Sequence, residues 1–294
     1  MMKKKILILG GSGFIGEKIK PILENEFDVY STGHEDNSPH NINFDILNIL
    51  NTEKIGKVFE CVKPEIVLNL YVIYNNLEFC EKNKEKVMKI NGDSLKTISK
   101  LVNKFDSYLV QMSTDYVFDG KDGNYNENAS PNPINFYGKS KLEGEQNVLE
   151  LCKKFCIIRT SMVFDKSNIK KTLSQWILEK VKKEPKIGLI NDQFMTTTYR
   201  ENLCNMMKEV IQKQNQGIIH LAGKDKTTRY QFAKVLLQQF GYDESKIFSE
   251  KRDSFNFSKN MPKDSSLNVD KATSLLNNKP EELKISIKKL FEKY

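Results

Sequence analysis

A chain of 294 residues, 39% of them apolar, is long enough to bury a substantial core in one large domain or two interleaved ones, which excludes a disordered protein. Lys and Arg number 46 against 38 Asp and Glu, a balance of +8, which excludes an acidic solubility factor. Most of that excess lies in lysine-rich amphipathic stretches at residues 82–89 and 179–186 and reads as a solvated face, with an anionic ligand as the alternative.

Residues 1–5 followed by the apolar run 6–9 imitate a basic leader, but the run ends at once in Gly10, Gly11 and Gly13 with no cleavage-type site, so it reads as a first buried strand. Further β-rich runs follow at 27–31, 66–70, 108–112 and 155–159. Helix-period stretches lie between them, at 14–24, 52–62, 81–90, 94–103 and 137–151. Uninterrupted apolar strands alternating with helices predict an α/β fold, a doubly wound parallel sheet covered on both faces of the Rossmann kind. The second half reads as helices at 169–183, 199–212 and 229–240, strands at 186–190 and 218–221, and an amphipathic closing helix. This predicts a dinucleotide-binding domain over residues 1–160, rejoined by a segment near 199–222, and a smaller interleaved substrate lobe over 161–294. No apolar run reaches the roughly 20 residues that cross a bilayer. Five cysteines without CxxC spacing read as packed, reduced thiols of a cytoplasmic protein, with no metal site expected.

Gly10, Gly13 and Gly16 stand in the run GGSGFIG between the first strand and the first helix. That placement suits a dinucleotide: the chain turns sharply, its backbone approaches a pyrophosphate, and the helix amides and dipole favour the anion. An acid about 20 residues further on would pair with the ribose hydroxyls of NAD. The second strand ends instead in Gly33 and His34, so a 2′-phosphate meets no repelling carboxylate, and NADPH is expected as the preferred cofactor with NADH admitted. His34 stands beside the expected ribose. Asp45 and Ile46 read either as adenine contacts or, for Asp45, as a turn or helix cap.

Tyr137 and Lys141 are four residues apart on one predicted helical face. An ammonium held near a phenol favours the phenolate, so Lys141 is expected to lower the pKa of Tyr137 and equip it for proton transfer. Ser113 and Thr114 end the strand at 108–112, on the side where doubly wound sheets bind ligands. A Thr114 hydroxyl there suits stabilisation of a developing alkoxide, with Ser113 as a substitute.

Together the glycine loop, the hydroxyl-bearing strand end and the Tyr/Lys pair resemble an extended short-chain dehydrogenase/reductase. The stretches STDYVF, NFYGKSKLEGE, RTSMV, INDQF, HLA and PKDSSLNVDK resemble, within that superfamily, the dTDP-4-dehydrorhamnose reductase family over essentially the whole chain. The resemblance implies a nucleotide-sugar reductase in which hydride reaches the C4 ketone of a 4-keto-6-deoxyhexose. It implies that Tyr137 protonates the oxygen, that Lys141 tunes the phenol and holds the nicotinamide ribose, and that Thr114 polarises the carbonyl. It further implies that Asp115 and Met162 meet the sugar, and that Phe14, Ile15, Tyr71, Val72 and Met112 line the cofactor site with the glycines. It places the chain in dTDP-rhamnose and polysaccharide biosynthesis and admits a homodimer; the basic balance comes with no nucleic-acid-reading motif, so neither nucleic acid nor membrane is expected as a partner.

The chain departs from that family's pattern in places. Asn69 is followed by the bulky Leu70, Tyr71, Val72, Ile73 and Tyr74; Met162 stands where a tryptophan is common; Met195 to Thr198 replaces a small, proline-containing stretch; and Met261 replaces an arginine. These changes bear on which sugar is bound. They also keep open a non-catalytic regulatory subunit, like the methionine adenosyltransferase β subunit, and an NAD-retaining epimerase would use the same Tyr/Lys pair. Trp176 lies in an apolar helical stripe and His220 after a β-rich run; both read as structural core residues.

Overall fold

The computed structural model describes residues 3–33, 41–43, 49–255 and 260–294. In chain order the first part runs β1 (Lys5–Leu9), α1 (Phe14–Glu24), β2 (Asp28–Gly33), β3 (Asn41–Asn43), α2 (Thr52–Val62), β4 (Ile66–Asn69), α3 (Leu77–Lys82), α4 (Lys84–Met88), α5 (Ser94–Lys104), β5 (Tyr108–Thr114), α6 (Phe136–Leu151) and β6 (Phe155–Thr160). The second runs β7 (Val163–Phe164), α7 (Leu173–Lys183), β8 (Ile187–Ile190), β9 (Met195–Thr196), β10 (Thr198–Tyr199), α8 (Arg200–Lys213), β11 (Gly217–His220), β12 (Lys226–Thr227), α9 (Arg229–Gln239), β13 (Ile247–Glu250), α10 (Asp270–Leu275) and α11 (Leu283–Phe291).

Seven strands form one parallel sheet in the order β11-β6-β5-β4-β1-β2-β3. Its central strands are buried on both faces, β5 along its whole length, which is why they read as unbroken apolar runs. One face packs on α1 and α8 through Ile6, Ile19, Leu203 and Val210; the other packs through Leu7, Phe59, Ile98 and Ile157. The late strand β11 joins the sheet beside β6. A separate cluster around Phe164, Ile177, Leu189, Phe232 and Ile287 holds α7, α9 and α11 together with the β8–β13 pair.

The stretch at 81–90, read as one helix, is in fact two short helices separated at Asn83, and a π turn over Lys89–Asp93 leads into α5. The stretch at 169–183 becomes helical only at Leu173, where Thr172 and Gln175 form a capping box. At the carboxyl ends of β5 and β6, Arg159 and Glu145 form a buried two-pronged ion pair, with Nη2 to Oε2 2.6 Å and Nε to Oε1 3.0 Å, and Ser113 Oγ donates to the same carboxylate at 2.5 Å. This pair fixes α6 against the sheet. Removing one partner leaves a buried charge uncompensated, so Glu145→Leu is expected to lower stability by about 3–5 kcal/mol in urea titration; a loss under about 1 kcal/mol would contradict this role.

Candidate functional site

The carboxyl ends of β1, β4, β5 and β6 lie side by side around the point where strand order reverses, the place at which open parallel sheets offer a crevice. After β1 the chain turns at Gly10, whose φ of +88° suits glycine, and Gly11 and Gly10 amides donate to the Thr32 carbonyl and hydroxyl. A side chain at Gly16 would meet the Gly11 carbonyl oxygen at 2.5 Å, so α1 can start this close to the loop only with glycine there. The loop is therefore open backbone at a helix start, a cradle that fits a dinucleotide pyrophosphate.

Helix α6 begins where the Asn135 side chain accepts from the Gly138 amide at 2.8 Å. A Cβ at Gly138 would collide with the Tyr116 carbonyl, so glycine lets the first turn of α6 press on the turn after β5. That contact brings Tyr137 beside Thr114 and Asp115. The Tyr137 ring packs on Tyr74, centroids 4.5 Å apart, and meets Tyr116 edge-on at 6.2 Å.

A cavity of about 550 Å³ opens at these strand ends. Of the residues expected in the site, Phe14, Ile15, Val72, Met112, Thr114, Asp115, Tyr137, Lys141 and Met162 all line it, as does Ser113. Tyr71 does not: it is buried, with its hydroxyl 3.0 Å from the Thr32 hydroxyl. Tyr71 thereby braces the glycine loop side of the sheet, through Thr32, against the loop after β4. Gly33 is buried against the Ser12 side chain, where a Cβ would clash, so packing with the glycine loop excludes an acid at that position. His34, Asp45 and Ile46 lie outside the described residues.

The electrostatics differ from expectation at Tyr137. Lys141 donates to the Met112 carbonyl at 2.7 Å, and burial, with Tyr74 and Asp115 nearby, pushes the Tyr137 phenol above its ordinary value while the Thr114 hydroxyl opposes this. The expected lowering by Lys141 is absent from this arrangement; the phenol is protonated at neutral pH. Burial pulls Lys141 down to about 8, against a pull upward from Glu145. Burial pushes Asp115 up to about 6, opposed by hydrogen bonds from Ser265 at 2.6 Å, Ser161 at 2.8 Å and Thr114 at 3.1 Å. The Asp115 carboxylate is thus occupied by three hydroxyls of its own chain. His220 is buried, its Nδ1 3.2 Å from the Asn268 carbonyl, and burial lowers it to about 3, so it is a neutral structural residue as expected.

Several site residues carried no local sequence signal. Gln111 links Asn69 to the Met112 carbonyl that Lys141 also meets. Asn91, on the π turn, accepts from the Ile73 amide and donates to the Ile73 carbonyl and to Ser140, whose hydroxyl donates to the Tyr137 carbonyl. Met162, at the cavity wall, has φ +27°, an uncommon conformation for a residue with a side chain. Trp176, read as core, packs on the α7–α9 cluster but also lines a second cavity of about 490 Å³ next to the first.

The family profile described as RmlD substrate binding domain matches residues 3–294. The chain belongs to that family. Among relatives of known name, the dTDP-4-dehydrorhamnose reductase of Escherichia coli (strain K12) is 28% identical over 247 residues, 80% of this chain and 77% of that one. Methionine adenosyltransferase 2 subunit beta of Danio rerio is 27% identical over 252 residues, 83% of this chain and 76% of that one. The dTDP-4-dehydrorhamnose reductase of Bacillus anthracis, solved in complex with NADP, superposes with a TM-score of 0.89 over 100% of both chains at 24% identity, a likeness of fold. The family so established is the one that the motifs resemble. Among the described residues no helix is long and apolar enough to cross a membrane, and no group of His, Cys, Asp and Glu is arranged to hold a metal.

Lys141 binds fewer protons folded than unfolded between about 8 and its ordinary 10.5, so its contribution to stability rises with pH across that window. The stability difference between wild type and Lys141→Met is expected to move in favour of wild type from pH 8 to 10.5 in denaturant titrations; a flat difference would contradict the lowered value. Asp115 acts oppositely, with stability falling as pH rises from 3.8 to about 6.

Proposed function

We propose that the protein is an NADPH-preferring reductase that delivers hydride to the C4 ketone of a nucleoside-diphosphate 4-keto-6-deoxy sugar. The observation that carries this is the convergence of Thr114, Tyr137 and Lys141 with Phe14 and Ile15 of the glycine loop on one cavity. In this reading the dinucleotide rests on the first 160 residues, and residues 161–294 supply most of the contacts to the sugar nucleotide. The glycine loop, Met112 and Lys141 would hold the dinucleotide, whose nicotinamide supplies the hydride when bound. NADPH preference rests on Gly33, which leaves no carboxylate at the end of β2 to repel a 2′-phosphate.

The raised phenol of Tyr137 suits the reductive direction. A ketone that accepts hydride becomes an alkoxide, which is more basic than any phenolate, so a neutral Tyr137 gives up its proton downhill. The Thr114 hydroxyl stabilises the oxygen as its charge develops. Lys141, fixed on the Met112 carbonyl, would hold the nicotinamide ribose of the bound dinucleotide, the role that the family resemblance gives it. The NAD-retaining epimerase has no observation in its favour beyond the shared Tyr/Lys pair.

One second reading has specific support. Val72 and Tyr74 line the cavity, the Tyr74 ring packs at a tilt against Tyr137, and one relative is a methionine adenosyltransferase 2 subunit beta. A dinucleotide-binding regulatory subunit would bind NADPH without consuming it. With NADPH and a panel of dTDP- and UDP-linked 4-keto-6-deoxy sugars, nicotinamide oxidation is expected, with a higher kcat/KM for NADPH than for NADH. Tyr137→Phe is expected to lower kcat by about 10²–10⁴. Absence of turnover with every sugar, alongside tight NADPH binding and a stoichiometric protein partner, would favour the regulatory reading.

A further inference from the structure

Tyr74 lines the site cavity at 41% exposure, and its hydroxyl meets no hydrogen-bond partner among the described residues. Its ring packs at a tilt of 47° on Tyr137, with centroids 4.5 Å apart. Hydrogen bonds outside the rings hold the two residues in register. Asn91, 1% exposed, accepts from the Ile73 amide at 2.9 Å and donates to the Ile73 carbonyl and to Ser140, whose hydroxyl donates to the Tyr137 carbonyl at 2.8 Å. Asn76, two residues beyond Tyr74, caps α3 by accepting from the Phe79 amide at 2.7 Å. Glu81 near the end of that helix accepts from the Phe136 amide at 2.8 Å. The loop carrying Tyr74 is thus tied on both sides to the first turn of α6.

A phenolate needs water or a donor at its oxygen, and covering it disfavours the charged form. An aromatic face adds to this, because it carries partial negative charge and donates nothing. The groups that face the Tyr137 phenol favour the neutral form on balance. Burial raises it first, then Tyr74 from the loop after β4 and Asp115 from the turn after β5; the Thr114 hydroxyl lowers it, and Cys80 of α3 raises it. Tyr116 meets the same ring edge-on. Lys141 of α6 is committed to the Met112 carbonyl, Glu81 accepts from the Phe136 amide, and Arg229 at the start of α9 acts on the Tyr74 and Tyr116 phenols.

We propose that Tyr74 is a positioning residue of the site: its ring shields the Tyr137 hydroxyl from water and so keeps Tyr137 a proton donor well into the alkaline range. The shielding is a property of the folded chain. Its catalytic use rests on the reductase reading, in which Tyr137 must be protonated at the start of each turnover. Truncation of the Tyr74 ring admits water to the phenol, whereas phenylalanine keeps the cover and loses only the hydroxyl.

The ionisation of Tyr137 is read by NMR in protein isotopically labelled at tyrosine Cζ, its resonance assigned by its absence in Tyr137→Phe. Wild type, Tyr74→Phe, Tyr74→Ala and Tyr74→Thr are titrated, with thermal melting as a check of folding. At about pH 10, the ordinary value of a tyrosine, the phenolate fraction of Tyr137 in Tyr74→Ala and Tyr74→Thr is expected to exceed that of wild type by about tenfold. Tyr74→Phe is expected to match wild type. A fraction unchanged in both truncations, or raised equally in Tyr74→Phe, would overturn the proposal. In turnover of a 4-keto-6-deoxy sugar nucleotide with NADPH, the kcat of Tyr74→Ala relative to wild type is expected to fall as pH rises from about 8 to about 10; a ratio flat across that range would overturn it also. A raised phenolate fraction in a protein that turns over no sugar would keep the shielding and reject the reductase. Turnover with an unchanged phenolate fraction would reject the shielding and keep the reductase.

Discussion

Asp115 accepts hydrogen bonds from hydroxyls on three stretches of chain: Thr114 at the end of β5, Ser161 after β6, and Ser265 in the segment before α10. The site cavity is enclosed by these same stretches, so their relative positions decide whether Thr114, Tyr137 and Met162 face one ligand. A buried carboxylate is expensive unless such donors surround it. The rise of Asp115 to about 6 shows that the three hydroxyls offset only part of the cost of burial. The constraint therefore favours geometry at some expense in stability, a common arrangement at functional sites.

Two other polar clusters extend the same logic. Arg159 and Glu145 tie α6 to the sheet beneath Lys141, and Asn91 ties the loop carrying Val72 and Tyr74 to α6 through Ser140. The catalytic candidates themselves sit on regular elements, whose own rotamers and hydrogen bonds leave little freedom. On this scaffold the bulky loop after β4 is a wall of the cavity and not a disturbance of its core. The overall charge also takes on a local meaning: many exposed lysines pair with a glutamate one helical turn away, as Lys57, Lys82 and Lys89 do, whereas Lys170 and Arg229, which line the cavities, have no carboxylate partner among the described residues.

Much of this was legible in the sequence because the signals are local. Buried parallel strands read as apolar runs, and α1 and α2 have the predicted bounds of 14–24 and 52–62. The glycine loop and the Tyr137/Lys141 spacing depend only on neighbours in sequence. The π turn at Lys89–Asp93 was missed because its apolar spacing continues that of the flanking helices. Ser265 lay in a recognised stretch but without a role, and Lys170 and Arg229 carried no signal, because their neighbours come from distant segments. The Tyr71–Thr32 contact was not legible because the two lie 39 residues apart, and the helical stripe that placed Trp176 against the core gave no sign of the cavity it also borders. The expected effect of Lys141 on Tyr137 failed because spacing four apart puts both on one face without aiming the ammonium at the phenol.

The central claim is that this cavity carries out reduction and does not merely bind a dinucleotide. The most direct measurement follows NADPH deuterated at its transferable nicotinamide position into a 4-keto-6-deoxy sugar nucleotide, with the product read by mass spectrometry and NMR. The account requires one deuterium at C4 of the product, lost together with turnover in Tyr137→Phe. Recovery of unlabelled sugar with the deuterated NADPH still intact on the protein would contradict it.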